Sequence, residues 1–320
     1  MLMPLGTNTF SFLLLCTYPY LVKICAVDGR NNNKRWPEWG AALSRRVRSF
    51  PTGHGFLEGT TDTPLDETNT PGLPSARRIM EELFRKVPPN PDKSLSGIML
   101  ALGEFITQDI LMFNDNSTEQ FDIPCDGDLT DLVFCPGRGQ FFNMSETIPF
   151  HRAVAGTRDG VRATINEQTP YLDLSNIYGI SEEESNNRRA SGGKLVLDED
   201  RLYPEDKIGW VKGFSSPSSY AFMVIFARYH NMVADNWAES DPSLSDDDLF
   251  HVARRRTISV YQQIVEEKYI PVLLGDRLPT YLGYDQSVDP AIDEFFAAVA
   301  FRYGKLSFPQ NPCFVLTFFL

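Results

Sequence analysis

The chain has 320 residues, 42% of them hydrophobic and 12% aromatic, enough to bury one sizeable core or two modest ones. Thirty Lys and Arg stand against 42 Asp and Glu, and the formal net charge of −12 argues against nucleic acid as a partner. The four histidines, His54, His151, His230 and His251, are too scattered for a zinc cluster, and no Walker loop, Gly-x-Gly-x-x-Gly or Gly-x-Ser-x-Gly occurs.

From the N-terminus, "FSFLLLCTYPYLVKICA" (residues 10–26) is apolar but interrupted by Pro19 and Lys23. It is shorter than the roughly 20 residues that span a bilayer, so residues 1–26 read as a secretory signal; a core helix or a misplaced gene start is the alternative. Residues 27–95 are rich in Pro, Gly, Thr and Asn and read as a loop-rich arm with a short helix near Ser75 to Arg85. The remainder, 96–320, forms the main domain.

That domain opens with "LSGIMLALGEFITQDILMF", where Ile98, Leu100, Leu102, Phe105, Ile106 and Ile110 recur at helical spacings and predict a buried helix. Glu104, Thr107, Gln108 and Asp109 lie in the same segment, and each polar group left unpaired in a core costs on the order of 1–3 kcal/mol, so something must meet them. Residues 113–205 alternate loops and short elements. They include "CDGDLTDLVFC", in which Cys125 and Cys135 either close a disulfide loop or stand as two free thiols, and the sequons at Asn116 and Asn143. Two long helices follow, "SSYAFMVIFARYHNMVADNWAES" and one running through "HVARRRTISVYQQIVEEKYI". Ser245 with Asp248 predicts a capping box at the start of the second, which makes Asp246 to Asp248 a helix cap and not a metal site. The fold class is mainly α.

The strongest chemical motif is "TPYLDLS". In an extended loop Thr169, Tyr171, Asp173 and Ser175 share a side and present oxygens to one point, with Asp109 of the buried helix as a further carboxylate. Such a set suits calcium, which takes six to eight oxygens; a hydrogen-bonded turn without metal meets the same spacing.

Six segments, "GEFITQDI", "CDGDLTDLVFC" leading into "IPFHRA", "INEQTPYLDLSNIYG", "ARYHNMVADNWAE", "ARRRTISVYQQIVEEKYIPVLLG" and "FRYGK", resemble those of the animal-type haem peroxidases in order and approximate spacing. They look most like the peroxidase-homology domain of dual oxidases. The resemblance implies the helical peroxidase fold, C-terminally incomplete here because the family adds helices after the proximal segment, whereas this chain ends on "FPQNPCFVLTFFL". It implies calcium at Asp109, Thr169, Tyr171, Asp173 and Ser175, haem b as the family cofactor, hydrogen peroxide as substrate of active members, and a secreted or extracellular location. An oxidase domain or membrane protein is the implied partner.

At the haem positions the sequence departs from that pattern. The distal His corresponds to Gln108, whose amide hydrogen-bonds but cannot act as a base. The distal Arg corresponds to Lys212, the acidic residues that tie haem covalently to Thr107 and Ser215, and the proximal His to Lys305; Glu104 and Arg302 are further haem-pocket positions. The expectation is a homologue without ordinary peroxidase chemistry. The alternatives are a haem enzyme with unusual ligands and a nonfunctional fragment. His230 and Tyr178 are expected in structural roles, and His251 in solvent.

Overall fold

The computed structural model describes residues 26–45, 96–113, 115–124, 147–158, 161–198, 217–275, 283–298 and 300–302, with the backbone alone for 115–124, 147–153, 155, 157–158, 161–162, 217–218, 298 and 302. Helices supply the core, and short antiparallel strand pairs lie beside it. Helix α1 (Gly97–Ile110) buries Leu102, Phe105, Ile106 and Ile110, as its spacing predicts. Ile98 differs: it occupies the first turn and is 64% exposed, so the buried stripe begins one turn later.

Strand β1 (Ser44–Arg45) pairs with β5 (Val161–Asn166), which also pairs with β4 (Ala155–Arg158), giving a three-stranded sheet in the order β1-β5-β4. Strands β2 (Asp115–Pro124) and β3 (Thr147–Ala153) form a second antiparallel pair, with an irregularity between Asn116 and Gln120. Strand β5 ends on Asn166, whose side chain ties down the end of α1: its Nδ2 donates to Ile110 O at 2.9 Å and its Oδ1 accepts from Met112 N at 2.9 Å. One side chain thus satisfies a carbonyl that the helix C-terminus leaves over and an amide just beyond it.

Two short helices, α2 (Ser175–Tyr178) and α3 (Glu182–Asn187), lead to the hairpin β6 (Arg189–Ala190) and β7 (Lys194–Leu195). The long helices α4 (Pro217–Ser240) and α5 (Asp246–Ile264) pack on each other and on α1. A π turn (Val265–Tyr269) follows, in which Ile270 N bonds to Val265 O, and then α6 (Ile270–Leu274). The wide turn precedes Pro271, whose ring disfavours a regular α-turn there. Helix α7 (Glu294–Ala298) and a 3₁₀ turn (Ala300–Arg302) complete the described part. Among the described residues, no helix is long and apolar enough to cross a membrane.

The core centres on aromatic packing between helices. Phe105 of α1 meets Phe226 of α4 at 5.5 Å and Tyr261 of α5 at 5.7 Å, and Phe226 meets Tyr261 at 5.4 Å. Three helices are therefore keyed together by one ring cluster, which sets where their polar residues point.

The acidic start of α5 works as its sequence predicts. Ser245 and Asp248 form the reciprocal capping box. Asp246 Oδ1 also accepts from the backbone N–H groups of Gly192 and Gly193, and Asp247 Oδ1 accepts from Arg189 at 2.7 Å, so the cluster fastens the β6–β7 hairpin to the helix. Gly193 turns there with φ +66°, and a Cβ on it would lie 2.5 Å from Leu249 Cβ and 2.6 Å from Phe250 N.

His230 binds the other side of this hairpin. Its Nε2 lies 2.9 Å from Gly193 O, a carbonyl that can only accept, so Nε2 carries the proton. Nδ1 then accepts from the Tyr178 hydroxyl at 2.9 Å. Burial lowers the His230 pKa to about 4, with the charges of Arg254 and Arg189 acting in the same direction. Tyr178 and His230 are accordingly structural. His251 is half exposed beside Asp247 at 3.5 Å.

Two expectations follow from this junction. Gly193→Ala should destabilise the protein by more than the roughly 1–2 kcal/mol of the left-handed backbone alone, because the methyl group collides with α5; the urea midpoint measures this. Tyr178→Phe should cost about 1–3 kcal/mol by leaving His230 Nδ1 buried without a donor. The same variant should not alter the neutral Nε2-protonated ring between pH 5 and 7, read by nitrogen chemical shifts.

Candidate functional site

The loop between β5 and α2 lies against the C-terminal end of α1, and Thr169, Tyr171, Asp173, Ser175 and Asp109 are all buried there. Gln262 of α5 fixes the loop backbone by donating Nε2 to Leu172 O at 2.8 Å. The extended geometry expected from the sequence stops at Leu174, which adopts φ +58° and ψ +38°; Ser175 then starts α2 and still faces Asp109. A left-handed leucine is uncommon and records how sharply the chain turns to bring Ser175 back.

Asp109 and Asp173 form the chemical centre of this loop. Thr169 Oγ1 donates to Asp173 Oδ2 at 2.8 Å, and Ser175 N donates to Asp173 Oδ1 at 3.1 Å. Ser175 Oγ donates to the Asp109 carbonyl at 2.8 Å and lies 3.3 Å from Asp109 Oδ1. Asp109 Oδ2 has no hydrogen-bond partner. Tyr171 places only its backbone at this point, because its hydroxyl donates away from the loop to Trp39 O at 3.3 Å. Residues 26–45 thus pack behind the loop.

Burial, reinforced by the charge of Asp173, holds the Asp109 carboxyl well above the usual carboxylate range. Burial likewise pushes Asp173 up to about 6, although the buried Arg254 guanidinium partly offsets it. Tyr261 of α5 abuts the Asp109 carboxylate, but its hydroxyl lacks the geometry of a formed hydrogen bond. Burial and the two acids keep that phenol neutral. The arrangement concentrates negative potential where water is excluded, and a cation is what such a site can hold. Among the described residues no group of three or more His, Cys, Asp or Glu side chains is arranged to hold a metal ion, so most ligands here would be hydroxyl and carbonyl oxygens.

The neighbouring distal position points elsewhere. Gln108 is 9% exposed, and its Nε2 donates to Ser219 Oγ of α4 at 3.2 Å. Thr107 turns its hydroxyl back onto its own helix, donating to Gly103 O at 2.8 Å. Glu104 is half-buried on the same helix. Arg302 ends the 3₁₀ turn after α7, where the backbone alone is described. Lys212, Ser215, Lys305, Cys125, Cys135 and Asn143 lie outside the described residues, and Asn116 lies on β2.

Sequence reasoning missed Asn166, Ser219, Arg254, Tyr261 and Gln262. A signal existed for three of them: Arg254, Ile258, Tyr261 and Gln262 fall on one stripe of α5, and polar residues on a core stripe call for buried partners.

The sequence profile of the animal haem peroxidases matches residues 25–315. The chain is 27% identical to the dual oxidase of Drosophila melanogaster and 28% identical to dual oxidase 1 of Homo sapiens, in each case over 89% of the chain but only 20% of the relative, so it spans about a fifth of their length. Among solved structures, peroxidase A from Dictyostelium discoideum superimposes with a TM-score of 0.70 at 22% identity, covering 88% of this chain and 59% of that one, which shows a shared fold. With the profile running through nearly the whole chain and the helical architecture in common, the protein belongs to the animal haem peroxidase family.

Proposed function

We propose that this chain is an exported, dual-oxidase-like haem peroxidase homologue that keeps a calcium-binding loop and has lost ordinary peroxidase chemistry. Two adjacent residues of α1 carry the reading. Asp109 is wholly buried against Asp173 with an oxygen unpaired, while Gln108, at the family's distal His position, is engaged with Ser219.

Calcium fits the first of these residues. Asp109 and Asp173 supply carboxylates, Thr169 and Ser175 supply hydroxyls already turned inward, and Thr169 and Tyr171 supply backbone carbonyls. A bound calcium would provide the positive charge that lets both acids ionise together. Asn166 and Gln262 hold the two halves of the set, the helix end and the loop, in fixed relation.

The distal residues do not fit an active haem centre. Gln108 has no basic nitrogen with which to take a proton from peroxide, and Thr107 has no carboxylate with which to form an ester. Lys305, in place of the proximal His, would have to lose its proton to ligate iron, a large cost near pH 7. These substitutions support a binding or maturation role beside an oxidase or membrane protein on the extracellular side. The similarity to dual oxidases, which are about five times longer, supports that setting.

Calcium should raise the melting temperature of the wild type, by the equivalent of about 2.7 kcal/mol at a hundred times Kd. Asp173→Ala should lower melting in calcium and change it little in chelator; equal losses in both would mean that Asp173 acts only through its turn. The pH sign follows from the raised carboxyls. In calcium-free protein the stability they allow is complete below about pH 4 and is lost as pH rises through about 6. The gain from calcium should therefore be small near pH 4 and grow above pH 6.

For haem, purified protein mixed with haemin should show little stoichiometric Soret absorbance and no peroxide-dependent oxidation above that of free haemin. Stoichiometric haem with steady turnover would make the chain an enzyme with an unusual iron ligand.

A further inference from the structure

Tyr261 has a feature that packing alone does not explain. Its ring is held edge-on between Phe105 of α1, at 5.7 Å and 84°, and Phe226 of α4, at 5.4 Å and 73°. A phenylalanine would make the same ring contacts. The residue nevertheless carries a hydroxyl into a place with no solvent exposure, where that oxygen has no hydrogen-bond partner. An unpaired buried hydroxyl is a cost to the fold.

The surroundings indicate what the hydroxyl is for. It abuts the carboxylate of Asp109, whose Oδ2 is likewise without a partner. The phenol is a donor and the carboxylate an acceptor, so a small rotation of the Asp109 side chain would satisfy both groups at once. The next residue on α5, Gln262, already holds the loop through Leu172 O. Two consecutive residues of one helix therefore address the two halves of the same site, the loop backbone and the acid on α1.

We infer that Tyr261 is a positioning residue of the cation site, donating its hydroxyl to Asp109 Oδ2 and fixing the orientation in which Asp109 meets a bound cation. The inference rests on the calcium reading above and extends it to a residue on a third element. Groups that orient a metal ligand in this way commonly contribute 10- to 100-fold in affinity. A hydroxyl that serves to orient Asp109 for a cation should matter more to cation binding than to the fold in chelator.

The test is Tyr261→Phe in the full chain, with calcium affinity measured by titration calorimetry and melting followed in calcium and in chelator. The expected result is calcium affinity about tenfold weaker or lower still, with melting in chelator unchanged or raised. Unchanged affinity in the variant, with calcium still bound by the wild type, overturns the role of Tyr261 and leaves the calcium reading standing. No calcium binding by the wild type removes both. Failure of Tyr261→Phe to fold in chelator also overturns the inference, because the hydroxyl would then be supporting the cation-free fold.

Discussion

The arrangement of this molecule turns on two carboxylates, Asp109 and Asp173, buried together with the Arg254 guanidinium partly offsetting Asp173. Apolar surroundings penalise either charge alone, and mutual repulsion penalises the pair. A fold that carries such a pair has to surround it with donors and keep it in reach of positive charge. Thr169, Ser175 and the Ser175 amide provide the donors, and the two from Ser175 depend on the turn in which Leu174 adopts the left-handed region. The strain at Leu174 and the burial of the acids belong together: a relaxed loop would carry Ser175 away from Asp109.

Helix α5 holds that arrangement in place. Its capping box and acidic first turn fasten the β6–β7 hairpin, its middle delivers Arg254 toward Asp173, and its last turns bring Tyr261 and Gln262 to Asp109 and the loop. The hairpin is held a second time by His230 of α4, whose neutral ring links Gly193 to Tyr178 just after the loop. The polar network therefore runs from an exposed cap to a buried acid pair through side chains on two packed helices. Removing a member at the exposed end costs an ordinary cap, while removing one at the buried end leaves a polar atom with nowhere to turn.

Much of this was legible in the sequence because it depends on local spacing. Periodicity located α1, α4 and α5, the Ser245 box located the start of α5, and the alternation in "TPYLDLS" singled out the loop that packs on Asp109. What spacing could not supply were the partners from distant elements. Asn166 and Ser219 are short polar side chains whose meaning appears only when β5 reaches the end of α1 and α4 crosses its face. Tyr171 shows the opposite limit. Its place in the alternation is right, but the aromatic ring is drawn out toward residues 26–45, leaving only its backbone at the loop.

Gln108 and Asp109 show how two adjacent residues of one helix serve separate sets of contacts. Consecutive helical residues point about 100° apart, so Gln108 reaches α4 while Asp109 reaches the loop. The Gln108 to Ser219 bond contributes to the packing of α1 on α4, a contact that an amide makes as well as an imidazole. The site at Asp109 draws on α2, β5 and α5. The amide at 108 therefore sits beside the acid pair while bonding to a different element. In physical terms the two residues share a helix but turn to different elements, Gln108 to α4 and Asp109 to the start of α2.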